Sequence, residues 1–129
     1  MNKFEDSYDK IKLKHGIEID IEYIVKKESG TVIAITSEDT HNLFRQFVDM
    51  KYNTISLYRV PNKYKNRVLM PSSYKGVAKL NPEDEWSEES GKRIAKHKLR
   101  NKINNSMKRR CNFLVEYLKQ ISDNIKESI

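Results

Sequence analysis

Apolar residues recur along the chain in short blocks whose period changes from block to block. Phe4, Tyr8 and Ile11 stand at helical spacing, which predicts a short N-terminal helix closed by Gly16 in a left-handed cap. Ile17-Glu18-Ile19-Asp20-Ile21-Glu22-Tyr23 alternates strictly, the mark of a half-buried strand with an acidic outer face. Lys26 to Gly30 reads as a turn, and Val32-Ile33-Ala34-Ile35 is a continuous apolar run expected of a central strand, so the two form a hairpin. Ser37, followed by Glu38 and Asp39, predicts a helix start. The stripe Leu43, Phe44, Phe47, Val48 and Met50 carries that helix to about residue 50. Ile55, Leu57 and Val60 lie in a strand-like stretch ending at Pro61, and residues 62–66 form a polar, basic loop. Val68-Leu69-Met70 predicts a short strand closed by Pro71-Ser72-Ser73, and Tyr74 to Leu80 predicts the last strand.

From Asn81 the charge pattern takes over. Residues 83–89 hold five acids and no bases, and residues 92–110 hold nine bases and no acids. Acids at the start and bases further along suit the dipole of a helix. Ser87 is the better N-cap, with Asn81-Pro82 as a second candidate start. The helix is expected to reach about residue 127, with a kink or break at Asn104-Asn105-Ser106 left open. The whole predicts an α+β fold: a small, mostly antiparallel sheet with one short helix packed on it and a long basic C-terminal helix. A single domain over 1–129 is expected, with the sheet part in 1–80 and the acidic turn and helical segment in 81–129.

Successive helical side chains rotate by about 100°. Leu99, Ile103, Met107 and Cys111 therefore form one apolar stripe, which makes Cys111 a core residue. Lys98, Lys102, Asn105 and Arg109 cluster roughly opposite, flanked by Lys92, Arg93, Lys96, Arg100, Lys108 and Arg110. A row of cations without interspersed acids is what phosphate binding asks for, whereas solvated faces usually mix signs. Beyond residue 110, Cys111, Leu114, Leu118, Ile121 and Ile125 alternate spacings of three and four. That seam fits either packing on the chain's own sheet or a homodimer through Leu114, Leu118, Ile121 and Ile125.

Composition narrows the class. The 129 residues carry a formal charge of +7 and a pI near 9.4, which favours polyanionic partners, nucleic acid above all. One cysteine cannot form an internal disulfide, and no Cys/His set has zinc spacing. With no signal peptide in the N-terminal residues and no membrane-length apolar run, a cytoplasmic location is expected, and the Asn104-Asn105-Ser106 glycosylation triplet is then empty. His15, His41 and His97 are isolated, and neither a Gly-rich phosphate loop nor a G-x-S-x-G elbow occurs. Asp20 and Glu22, with Glu18 and Lys26 nearby, supply the one nuclease-like reading, but alternating strand acids are ordinarily solvent-face residues. Glu83-Asp84-Glu85 is explained more simply as helix-start acid than as a cation site. No cofactor or metal is expected.

Lys, Asn and Ile are abundant, and alanine occurs only at Ala34, Ala78 and Ala95, the bias of an AT-rich genome. Gly76-Val77-Ala78-Lys79-Leu80-Asn81-Pro82-Glu83-Asp84-Glu85-Trp86-Ser87-Glu88-Glu89-Ser90-Gly91-Lys92 resembles a segment of small, mostly uncharacterised phage-encoded accessory proteins. In those a Gly-Val-Ala-Lys-like strand end leads to a Pro, two acids, an aromatic, a capping residue and a helix. Leu80 stands where they often carry cysteine, and Ser87 where they often carry aspartate. The resemblance implies a phage or mobile-element origin and brings no catalytic residues. The expected function is non-catalytic binding of a nucleic acid or ribonucleoprotein, as an inhibitor of a host defence system of the anti-CRISPR kind. A DNA-binding regulator and a small metal-dependent nuclease are the alternatives.

Overall fold

The computed structural model describes residues 7–14, 16–52, 57–81, 83 and 85–129. Phe4, His15, Ile55, Pro82 and Asp84 lie outside the described residues. The fold is α+β: a four-stranded antiparallel sheet, a short helix and a long C-terminal helix. The strands are β1 (Tyr8–Lys12), β2 (Glu18–Lys26), β3 (Thr31–Thr36) and β4 (Lys75–Lys79), in spatial order β1-β2-β3-β4. The helices are α1 (Leu43–Lys51), the single turn α2 (Lys65–Val68) and α3 (Glu88–Ser128). The chain divides into two compact units: Met1–His41 with Pro71–Asn104, and Asn42–Met70 with Asn105–Ile129.

In the first unit the expected β2–β3 hairpin is present, turned by a 3-10 segment at Lys27–Ser29 and by Gly30 at φ 65°. Among the described residues the N-terminal helix is not: Tyr8–Lys12 is a strand paired with β2, Ile11 opposite Ile19. Asp9, Ile11 and Leu13 alternate with exposed residues, and this two-residue period outweighs the helical spacing of Tyr8 and Ile11. Gly16 does take a left-handed conformation, at φ 91°, but in the β1–β2 turn, where its amide donates to the Leu13 carbonyl at 3.0 Å.

Cross-strand register assigns the two faces of the sheet. Ile11, Ile19, Ile21, Tyr23, Val32, Ala34 and Ala78 share one face and are buried. The first half of α3 covers that face with Ala95, Leu99 and Ile103, all fully buried. Contact is close because two glycines permit it. A Cβ on Gly76 of β4 would meet the Ala95 carbonyl at 2.4 Å, and one on Gly91 of α3 would meet Val32 Cγ2 at 2.6 Å. The Ser90 amide donates to Ser87 Oγ at 3.2 Å, so Ser87 is the N-cap expected. The helix continues without interruption through Asn104-Asn105-Ser106.

Residues 37–41 are not helical, and α1 begins at Leu43. The Ser37 amide donates to Asp20 O at 2.9 Å, the Thr40 amide to Ser72 O at 3.1 Å, and the His41 amide to Asp39 Oδ1 at 2.8 Å. These bonds commit to neighbouring chain the groups a helix start would use.

In the second unit α1 buries Leu43, Phe44 and Val48 but leaves Met50 exposed. Residues Leu57–Arg59 form a 3-10 turn in place of the expected strand. Val68 closes α2, and the Leu69 amide donates to Lys65 O at 3.1 Å, so residues 68–70 are not a strand either. Part of the expected loop 62–66 is likewise a 3-10 turn, Asn62–Tyr64. Phe113 is buried in this unit, its ring 5.4 Å from those of Tyr64 and Tyr117.

Candidate nucleic-acid interface

The basic residues of α3 do not form one free row. Lys98 and Lys102 sit beside the buried stripe rather than opposite it, and their side chains turn onto the edge of the sheet. Lys98 Nζ donates to Val77 O at 3.1 Å and Lys102 Nζ to Lys75 O at 2.8 Å. The sheet makes these carbonyls available. Thr36 N bonds Tyr74 O and Leu80 N bonds Gly30 O, so even-numbered β4 residues face β3. Lys75 and Val77 then point their backbone groups away from the sheet. Four residues of helix rise about 6 Å and two residues of strand about 6.8 Å, so lysines four apart match carbonyls two apart. Both lysines remain exposed, and each ammonium has further protons beyond the one given to a neutral carbonyl. The result is a pair of held cations along the β4 edge, with exposed Lys75 and Lys79 on the strand itself.

The other flank of α3 is mixed in sign. A cleft of about 740 Å³ is lined by Tyr8, Asp9, Tyr23, Glu89, Ser90, Lys92, Arg93 and Lys96. At its base Asp9 Oδ2 accepts from Tyr23 Oη at 2.7 Å and from Lys96 Nζ at 2.9 Å. Partial burial alone raises the Asp9 pKa, but the bonds from Tyr23, Lys96 and the Lys10 amide outweigh it and hold the carboxyl below its ordinary value. Burial pushes the Tyr23 phenol upward, and the bond to Asp9 and its negative charge push it further. Lys92 Nζ lies 3.5 Å from Glu88 and 5.3 Å from the Tyr23 ring centroid. Arg93 is exposed, and Arg100 is half-buried with its Nε enclosed and without a hydrogen-bond partner. Sequence reasoning misses Asp9 and Tyr23 because it places residue 9 in a helix. The alternation Asp-Lys-Ile-Lys-Leu is the available signal.

In the second unit Asn105, Lys108 and Arg109 are exposed. Arg110 is a structural residue: Nε donates to Leu69 O at 2.9 Å, and Nη1 to Ser106 O at 3.0 Å and Ser106 Oγ at 2.7 Å. Cys111 is exposed rather than in the core, as the buried face of this half of α3 is carried by Ser106, Met107 and Phe113. Leu114 is half-buried, and Leu118, Ile121 and Ile125 are exposed, so the seam is not buried within the chain.

Two of the acids of β2 are engaged with β1. Lys10 Nζ lies 3.8 Å from Glu18 Oε2 and 3.8 Å from Asp20 Oδ1. Among the described residues no group of three His, Cys, Asp or Glu could hold a metal ion, and no helix is long and apolar enough to cross a membrane. No family model, curated protein or solved structure matches the chain.

Proposed function

We propose that the protein binds nucleic acid through the phosphate backbone, along the edge formed by β4 and the first half of α3, without catalysis. The observation that carries this is the held pair Lys98 and Lys102, 3.1 and 2.8 Å from edge carbonyls that leave their charge uncancelled. A cation already fixed in place gives up less side-chain freedom when it meets a phosphate than a free lysine does. Lys79 extends the same edge, and neither β4 nor α3 between Lys92 and Arg110 contains an acid. On the outer face of the sheet the acids lie on β2, where Lys10 reaches Glu18 and Asp20, which gives the unit a positive edge and an acidic strand. The setting we propose is that of a phage or mobile-element accessory protein acting on the nucleic acid of a host defence complex. The AT-rich composition and the resemblance of residues 76–92 support it.

The test is the salt dependence of binding to non-specific duplex and single-stranded probes, measured by fluorescence anisotropy. Wild-type affinity is expected to fall linearly with log salt concentration. Lys98→Ala with Lys102→Ala should weaken binding and reduce the slope by roughly two units, one for each phosphate no longer neutralised. The exposed carbonyls released by the change can be hydrated, so circular dichroism should be unaltered. A folded double variant with unchanged affinity and slope refutes the proposal.

A further inference from the structure

β3 is written as a strand covered on both sides. Val32, Ala34 and Thr36 are buried beneath α3, and the intervening Ile33 and Ile35 are half-buried on the opposite face. Continuous apolar runs belong to strands with two packed faces. On that second face Ile24 is 42% exposed and Val77 is 37% exposed. Register aligns these residues in rows across three strands. One row is Ile24, Ile33, Val77, and the next is Glu22, Ile35, Lys75. About β3 the first row reads the same in both directions. The second reverses its charge, acid on one side and base on the other.

We infer that this face is the contact surface for a second copy of the chain, related by a two-fold axis parallel to β3 and passing over Ile33 and Ile35. That operation lays Ile33 on Ile33 and Ile35 on Ile35 of the partner copy. It lays Ile24 on Val77, and Glu22 on Lys75, each pairing occurring twice. A two-fold interface must be complementary to itself, and these rows meet that condition in both shape class and charge. Two sheets packed face to face stand about 10 Å apart with strand directions within about 30° of each other, and the isoleucines lying on the axis meet most closely. The next row, Lys26, Thr31, Lys79, places lysine over lysine and sets the limit of the contact. The patch is therefore small, and the dimer belongs to the weak, reversible class. It uses the face turned away from the first half of α3, and of the basic β4 edge it engages Lys75.

Sedimentation equilibrium of the full chain over rising concentration is expected to show a reversible monomer–dimer transition. Each substitution counts twice across the axis, so Glu22→Lys alone and Lys75→Glu alone should each weaken association by about tenfold. The double variant Glu22→Lys with Lys75→Glu should restore it. In a Cys111→Ser background, Ile33→Cys should form a disulfide-linked dimer on mild oxidation, whereas Lys12→Cys should not. A chain that stays monomeric at the highest attainable concentration overturns the inference. So does a dimer that Leu118→Glu dissociates and the charge reversals leave intact, and so does a double variant no tighter than the singles.

Discussion

A β-carbon on Gly76 would stand 2.5 Å from the backbone nitrogen of Leu99, closer than any side chain tolerates. β4 and α3 thus meet backbone to backbone, which no other residue type at position 76 permits. Gly76→Ala should destabilise the protein by about 3 kcal/mol, the upper range for an overpacked core, because a helix backbone cannot yield as a side-chain tip can. Thermal unfolding followed by circular dichroism gives the comparison.

Gly91→Ala is expected to be milder. Its obstacle is Val32 Cγ2 at 2.6 Å, and alanine inside a helix regains about 1 kcal/mol over glycine. The two variants should therefore rank with Gly76→Ala clearly the less stable. Equal melting temperatures would show that α3 does not seat on the sheet through both glycines.

The Asp9–Tyr23 pair predicts two limits of pH stability. The folded-state pKa of Asp9 lies below its ordinary 3.8, so its contribution is full above that value and lost as pH falls through the lower folded value. The Tyr23 phenol is raised above its ordinary 10.0, so its contribution is full below that value and declines as pH rises past it. Asp9→Asn should flatten the acid limb of a stability–pH curve, and Tyr23→Phe the alkaline limb. Chemical denaturation across the two ranges reads both.

In the second unit, Phe113→Ala should cost about 3–5 kcal/mol, since the side chain is 2% exposed and lies against the Tyr64 and Tyr117 rings. Leu118→Glu at a 46% exposed position should change the stability of dilute protein by less than about 0.5 kcal/mol. Denaturant midpoints of the two variants should differ accordingly.

The parts of the fold legible in the sequence are those where one period stands alone. The β2–β3 hairpin shows strict alternation beside an apolar run, and α3 shows a cap, an acidic first turn and a long basic stretch. The N-terminal strand is illegible because Tyr8 and Ile11 satisfy a helical spacing while Asp9, Ile11 and Leu13 satisfy a strand's. The seam from Leu114 to Ile125 shows a different limit of the sequence. Apolar spacing says which residues share a face, not which face meets the core, and here Phe113 decides it. Of the candidate site, the cations are visible in the sequence and their partners are not. Nothing in Lys98 or Lys102 announces a carbonyl 21 or 27 residues earlier in the chain; the pairs with Val77 and Lys75 exist only once β4 lies beside α3.

The lysines along β4 also bear on how the sheet can grow. A four-stranded sheet has two edges at which a strand from another molecule can add, and joining the first edge of one copy to the last edge of the next builds a fibre without end. With Lys98 and Lys102 seated on Val77 O and Lys75 O, a strand adding at β4 must first displace both side chains, which disfavours that edge relative to β1. An assembly with a single growing edge joins β1 to β1 and then stops. Two side chains per molecule thereby act as a chain terminator against polymerisation.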